Sequence, residues 1–286
     1  MSLRINFNSA SLSAQRALSR TQDDYARSAQ RISTGKRINS AADDAAGLAV
    51  STKLKAQITG LNQAQRNVQD GINAIAIGEG ALTQMHALLS RMRELAVQSA
   101  TATVTDSDRA QSNAEFTALS AEIDRLGNTT AYASIKLLDS TSSAFQLQVG
   151  ANSSDTMTVA FPTANLAGID ATIGAMASPP TQPSIAAAVV STQTDATQSI
   201  DTIDAAIEAI SSYRASLGSM SNRLQMSSDN LSTAMENVSA ANSRIEDADI
   251  ASEMSELVRT QILQQAGIAI LSQANQAPQS VLKLLQ

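Results

Sequence analysis

At 286 residues the chain is long enough to bury a substantial core, yet aromatics make up 2% of it and tryptophan is absent, so burial must come from Leu, Ile, Val, Met and Ala. Its formal net charge is −6, opposite in sign to the basic footprint of nucleic-acid-binding proteins, and DNA and RNA are set aside as partners. Cysteine is absent, which excludes disulfides and thiolate metal sites.

The first twenty residues, MSLRINFNSASLSAQRALSR, lack the uninterrupted apolar stretch of a secretory signal, and no apolar run elsewhere is long enough to span a bilayer. Arg4, Arg16, Arg20, Arg27, Arg31, Lys36 and Arg37 face only Asp23 and Asp24 in the opening forty residues. The apolar stripe beside them, Leu12, Leu18, Tyr25 and Ile32, is too narrow for a membrane-surface helix. It reads as a packing helix with a solvated arginine face. Asp43 and Asp44 in NSAADDAAG are the most conspicuous carboxylate pair; a single pair beside Gly47 fits a turn and helix cap better than calcium binding or acid–base work.

From Leu54 apolar residues recur every seven positions: Leu54, Leu61, Val68, Ile75, Leu82, Leu89 and Ala96. That period marks a long helix committed to a coiled-coil seam. The second row is small or flexible, Ala64, Gly71, Gly78, Met85 and Met92. Each interior glycine costs roughly 0.5 to 1 kcal/mol relative to alanine, so the row predicts close backbone approach by a neighbouring helix. A shorter helix over 112–126 offers Phe116, Leu119, Ile123 and Leu126.

Helical periodicity lapses between Gly127 and about Gln198. Phe145, Leu147 and Val149 alternate, as do Met157, Val159 and Phe161, which predicts a β-hairpin within an insert of about residues 140–165. SPPTQPS at 178–184 reads as loop. The seven-residue pattern then returns with Ile203, Ile210, Leu217, Leu224, Leu231, Val238 and Ile245, equal in span to the first and therefore paired with it. In the C-terminal segment Met254 with Leu257, Gln261 with Gln264, Ile268 with Leu271, Asn275 with Pro278 and Leu282 with Leu285 alternate apolar and polar layers. Such a seam is weak alone but specifies register against a partner. The fold class is mainly α: an elongated antiparallel bundle or coiled coil of N- and C-terminal helices with a small β-hairpin region in the middle.

Chemistry is sparse. His86 is the single histidine, and no zinc, nucleotide-binding or hydrolase motif accompanies it. Neither an enzymatic role nor a cofactor or metal is expected.

RINSAADDAAG at 37–47, SRMRELAVQS at 90–99, RIEDAD at 244–249, QILQQAG at 261–267, LSQANQ at 271–276 and the terminal VLKLLQ resemble signatures of bacterial flagellins, in the family's order. The resemblance covers roughly 1–150 and 195–286. It implies a secreted, extracellular subunit that polymerises with itself into the flagellar filament for motility, exported unfolded through the flagellar type III apparatus. Residues 1–45 and 250–286 would form filament-core helices, packing through Leu18, Tyr25, Ile32, Met254, Leu257, Ile268, Leu271, Leu282 and Leu285. Residues 46–249 would form the surrounding rod, packing through Leu61, Val68, Ile75, Leu82, Leu89, Ile210, Leu217, Leu224, Leu231 and Val238, with no large outer domains. Hook-associated junction and cap proteins, and an export chaperone bound through the C-terminal helix, are the implied partners. Arg91, Leu95 and Glu115 match the exposed positions through which some flagellins contact the animal flagellin-sensing Toll-like receptor. A hook–filament junction protein and a surface adhesin or polysaccharide-binding homologue are the alternatives built on the same terminal helices.

Overall fold

The computed structural model describes residues 8–139, 144–176 and 184–284. The chain is mainly helical and divides into two compact units, residues 1–58 with 236–286 and residues 59–235. Two long helices, α2 (Ala45–Ser99) and α5 (Gln193–Glu246), contribute residues to both.

In the first unit α1 (Ser9–Thr34) lies antiparallel to α6 (Ile250–Leu284). Asn8 caps α1 by accepting from the Ser11 amide, and Gly35 ends it in the left-handed region at φ 69°, where a Cβ is disfavoured. The α1 residues shielded by α6 include Ser11, Ala14, Leu18, Thr21, Tyr25, Ser28 and Ile32; their α6 counterparts are Glu253, Leu257, Thr260, Gln264, Gly267, Leu271 and Ala274. Both sets keep a 3–4 spacing.

The second unit is built on the antiparallel pairing of α2 with α5, set by contacts of Gly71 with Leu224 and Gly78 with Leu217 and by an Arg93–Asp204 ion pair. Leu61, Val68, Ile75, Leu82 and Leu89 of α2 and Ile210, Leu217, Leu224 and Leu231 of α5 are buried, as is the whole second row of α2. Helix α3 (Asp106–Thr129) adds Phe116 and Ile123. Strands β3 (Phe145–Gln148) and β4 (Thr156–Val159) form an antiparallel hairpin with Phe145 opposite Val159. Phe145 and Phe161 meet edge-to-face at 5.5 Å.

Several details differ from the sequence expectation. Gly71 and Gly78 make room for side chains: a Cβ at Gly71 would meet Leu147 and Leu224, one at Gly78 Phe161 and Leu217. Close approach of a neighbouring backbone is therefore not their purpose; knobs from the hairpin and α5 enter there. The non-helical interval is shorter than the periodicity implied, because α3 continues to Thr129, α5 begins at Gln193, and α4 (Leu166–Met176) lies between. Gly168 and Gly174 conceal α4 in the sequence. A second, two-residue hairpin, β1 (Ala131–Tyr132) with β2 (Ile135–Lys136), turns through Ala133 and Ser134 at positive φ, so no glycine marks it. Most of the SPPTQPS segment lies outside the described residues.

Candidate assembly surface

The α1/α6 pair holds most of the residues expected to pack in a filament core. A Cβ on Gly267 would stand 3.3 Å from Leu18 Cδ1, and Arg31 Nη1 lies 3.1 Å from Glu253 Oε1. That register sets Ser28 opposite Leu257, Tyr25 opposite Thr260 and Ala14 opposite Leu271, so each large side chain faces a small or polar one. Leu18, Tyr25, Ile32, Leu257 and Leu271 are half-buried there. Met254 and Ile268, assigned by sequence to the same seam, fall one residue out of phase with it and are exposed. Thr260, Gly267 and Ala274 let α1 approach α6 closely, and that narrow contact leaves the bulkier neighbouring row outside. Leu282 belongs to α6 but its side chain, like Leu285 altogether, lies outside the described residues.

The outer surface of α6 is apolar on several sides. Met254 and Ile268 flank the α1-facing row on one side, Leu263 and Ile270 on the other, and Ile262 points away from it. Ile262 is 60% exposed and Ile270 59%.

Where α1 ends and α6 begins lies a buried ionic joint that no motif announces. The Arg37 amide donates to the Glu246 carbonyl at 2.7 Å and the Ala248 amide to that of Gly35 at 2.9 Å. The Glu246 side chain is buried and receives Lys36 Nζ at 2.8 Å, Lys55 Nζ at 2.5 Å and Ser51 Oγ at 2.6 Å. Burial alone would raise its pKa; hydrogen bonds from Lys36, Lys55 and Ser51 outweigh that and hold it at about 2. The Glu246 hydrogen bond and charge raise Lys36 in turn. Of the three acids in RIEDAD, only a structure tells which one turns inward.

Asp43 accepts from the Ser40 hydroxyl and the Ser40 and Asn39 amides, which lower its pKa, and Asp44 accepts from the Gly47 amide at 2.8 Å. Both carboxylates thus serve the turn and the start of α2. His86 is half-buried, with Nδ1 unpartnered.

In the second unit Arg91 and Glu115 are exposed and paired at 2.9 Å, with Glu94 sharing the guanidinium. Leu95 is 3% exposed. The expectation of an outward leucine at 95 is corrected: the residue is part of the core, three positions beyond the buried Met92. Val238, at the far end of the α5 row, is half-buried.

Family comparison agrees with this arrangement of paired terminal helices. The helical N-terminal region of bacterial flagellin matches residues 5–143, and its C-terminal helical region residues 200–285. The chain belongs to the bacterial flagellin family. A flagellin of Halalkalibacterium halodurans is 45% identical over 282 residues, 99% of each chain. That of Bacillus subtilis is 40% identical over 313 residues, covering 99% of this chain and 100% of its own. A solved structure described as a flagellar hook-associated protein of Vibrio parahaemolyticus aligns with 72% of this chain and 100% of its own at a TM-score of 0.56 and 16% identity; that likeness concerns the fold alone. The two family matches bracket the hairpin, α4 and the start of α5, and they include every residue of the Glu246 joint and of the α1/α6 seam.

Proposed function

We propose that this flagellin is the structural subunit of a bacterial flagellar filament, adding to copies of itself outside the cell to build the propeller used for swimming. The observation that carries the reading is the circumference of α6. A helix apolar on one face needs one neighbour, whereas one with large apolar side chains on both flanks and its back is made to be enclosed. Helix α1 covers only one side. Second and further copies of the chain supply the rest, and contacts of that heterologous kind propagate an open helical lattice.

In this reading residues 1–45 and 250–286 are the filament-core pieces and 46–249 the surrounding rod. Before assembly the apolar surface of α6 is the natural binding site for an export chaperone; junction and cap proteins meet the same helices at the filament ends. For a Toll-like receptor, the outward pair Arg91 and Glu115 is the available contact.

Electron microscopy of the purified full chain with filament seeds tests the proposal. Wild-type protein should elongate seeds, while Ile262→Asp and Ile270→Asp, both at exposed positions, should keep monomer helicity yet fail to elongate them. Filaments of normal length from both variants would overturn it.

A further inference from the structure

The Glu246 joint is the best-buried feature of the first unit, and the α1/α6 seam beyond it is thin. Ser51 is 1% exposed and Glu246 3%, with Ile38 next to Arg37 in sequence at 2%; among the described residues of the seam itself only Ser28 and Thr260 are buried. The joint also sits at the roots of the two helices, just after α1 ends at Thr34 and just before α6 begins at Ile250. Besides the two backbone hydrogen bonds between residues 35–37 and 246–248, the Arg37 guanidinium donates to the Ile245 carbonyl at 2.7 Å. The residues that follow α1 and those that precede α6 are therefore pinned side by side.

We propose that Glu246 is the latch from which α1 and α6 zip together as a subunit is added, a step that rests on the filament reading above. With the roots pinned, each further turn of the pair closes only a short loop and fixes a few residues at a time. With the roots free, the same pairing must be found across the whole intervening chain, at a larger loop-closure cost. The latch depends on one charge. Lys36 and Lys55 converge on the Glu246 carboxylate from the α1–α2 connection and from α2, while Ser51 and Asn242 complete its shell at 2.6 and 3.4 Å. Neutralising Glu246 removes the attraction that draws both half-exposed ammonium groups to one buried carboxylate, so the joint loosens.

Amide hydrogen exchange on the monomeric full chain, together with seeded elongation rates, tests the latch. Glu246→Gln should speed exchange at Arg37 and Ala248 roughly tenfold or more and slow elongation by a similar factor, with amides between residues 61 and 96 unchanged. Ser51→Ala, which removes one hydrogen bond and creates no charge imbalance, should move both readings in the same direction by a smaller factor. Wild-type protection of Arg37 and Ala248 in both variants overturns the latch, as does faster exchange with wild-type elongation. Failure of the wild-type chain to extend seeds counts instead against the filament reading, and the exchange experiment still decides the latch.

Discussion

Leu18 of α1 rests on Gly267 of α6, where an added Cβ would lie 3.3 Å from Leu18 Cδ1 and 3.9 Å from Leu18 Cβ. A leucine tip can yield a few tenths of an ångström, and alanine in a helix is worth about 1 kcal/mol over glycine. Gly267→Ala should therefore raise helicity and leave assembly intact. Gly267→Leu has no such room; it should push α1 away from α6 and abolish filaments. Circular dichroism and seeded elongation measure the two effects, and normal filaments from the leucine variant would show that this contact does not set the spacing of the pair.

Glu246 links the first unit to pH. Its pKa falls from the ordinary 4.5 to about 2 on folding. A lowered carboxylate pKa stabilises the folded state above the unfolded value, and that stabilisation is lost as pH drops from 4.5 toward 2. Its full size, present at neutral pH, is on the order of 1 to 3 kcal/mol, because Lys36 and Lys55 are about half exposed and water screens their charges. The stability gap between wild type and Glu246→Gln should accordingly be largest near pH 7, shrink below pH 4.5 and close near pH 2. Exchange protection of the Ala248 amide across that range measures it, and a pH-independent gap would mean that the carboxylate charge is not what holds the joint.

The long helices were legible because their cores are periodic: Leu61 through Leu89 and Ile210 through Leu231 lie on seven-residue rows, and every one of those residues is buried. What the sequence concealed was phase and small-residue chemistry. The row through Glu253, Thr260, Gly267 and Ala274 carries little hydrophobicity, so half of the α6 seam reads one residue away, at Met254 and Ile268, while Leu257, Gln264 and Leu271 read in place. Gly71 was read as a site of helix approach because the pattern carries no hint that Leu147 of the hairpin fills the space. Glu246 and Arg109 are polar residues turned inward, and periodicity assigns charged residues to solvent by default. Leu95 fell to the opposite error, since a motif match gives correspondence of position without exposure.

Arg109 closes the connection between α2 and α3. Although 6% exposed, it donates through Nε to the Ser99 carbonyl at 2.8 Å and through Nη2 to that of Thr101 at 2.9 Å, with Asp106 at 2.8 Å. The Ser99 carbonyl ends α2, where the helix leaves acceptors unmet and favours a cation, and the Thr101 carbonyl follows in the connection. Arg109→Met preserves much of the stem volume but strands both acceptors, and should cost about 2 to 3 kcal/mol. Urea unfolding followed at the second unit reads this; a cost below about 0.5 kcal/mol would mean that water replaces the guanidinium without loss.

Two glycines separate helix propensity from packing. A Cβ at Gly80 meets nothing within 4 Å, whereas one at Gly127 would stand 2.7 Å from Asn165 Cα and 3.0 Å from its amide nitrogen. Backbone cannot swing aside as a leucine tip can, and Asn165 is itself held in place by capping α4 through the Gly168 amide at 2.9 Å. Gly80→Ala should therefore stabilise the monomer by about 1 kcal/mol, and Gly127→Ala should destabilise it by about 1 to 3 kcal/mol. Unfolding midpoints of the two variants should move in opposite directions. The first variant also probes assembly: a more stable monomer that no longer elongates seeds would place the open face around Gly80 against a neighbouring subunit, because one methyl group is enough to block a close-packed contact while leaving an exposed helix undisturbed.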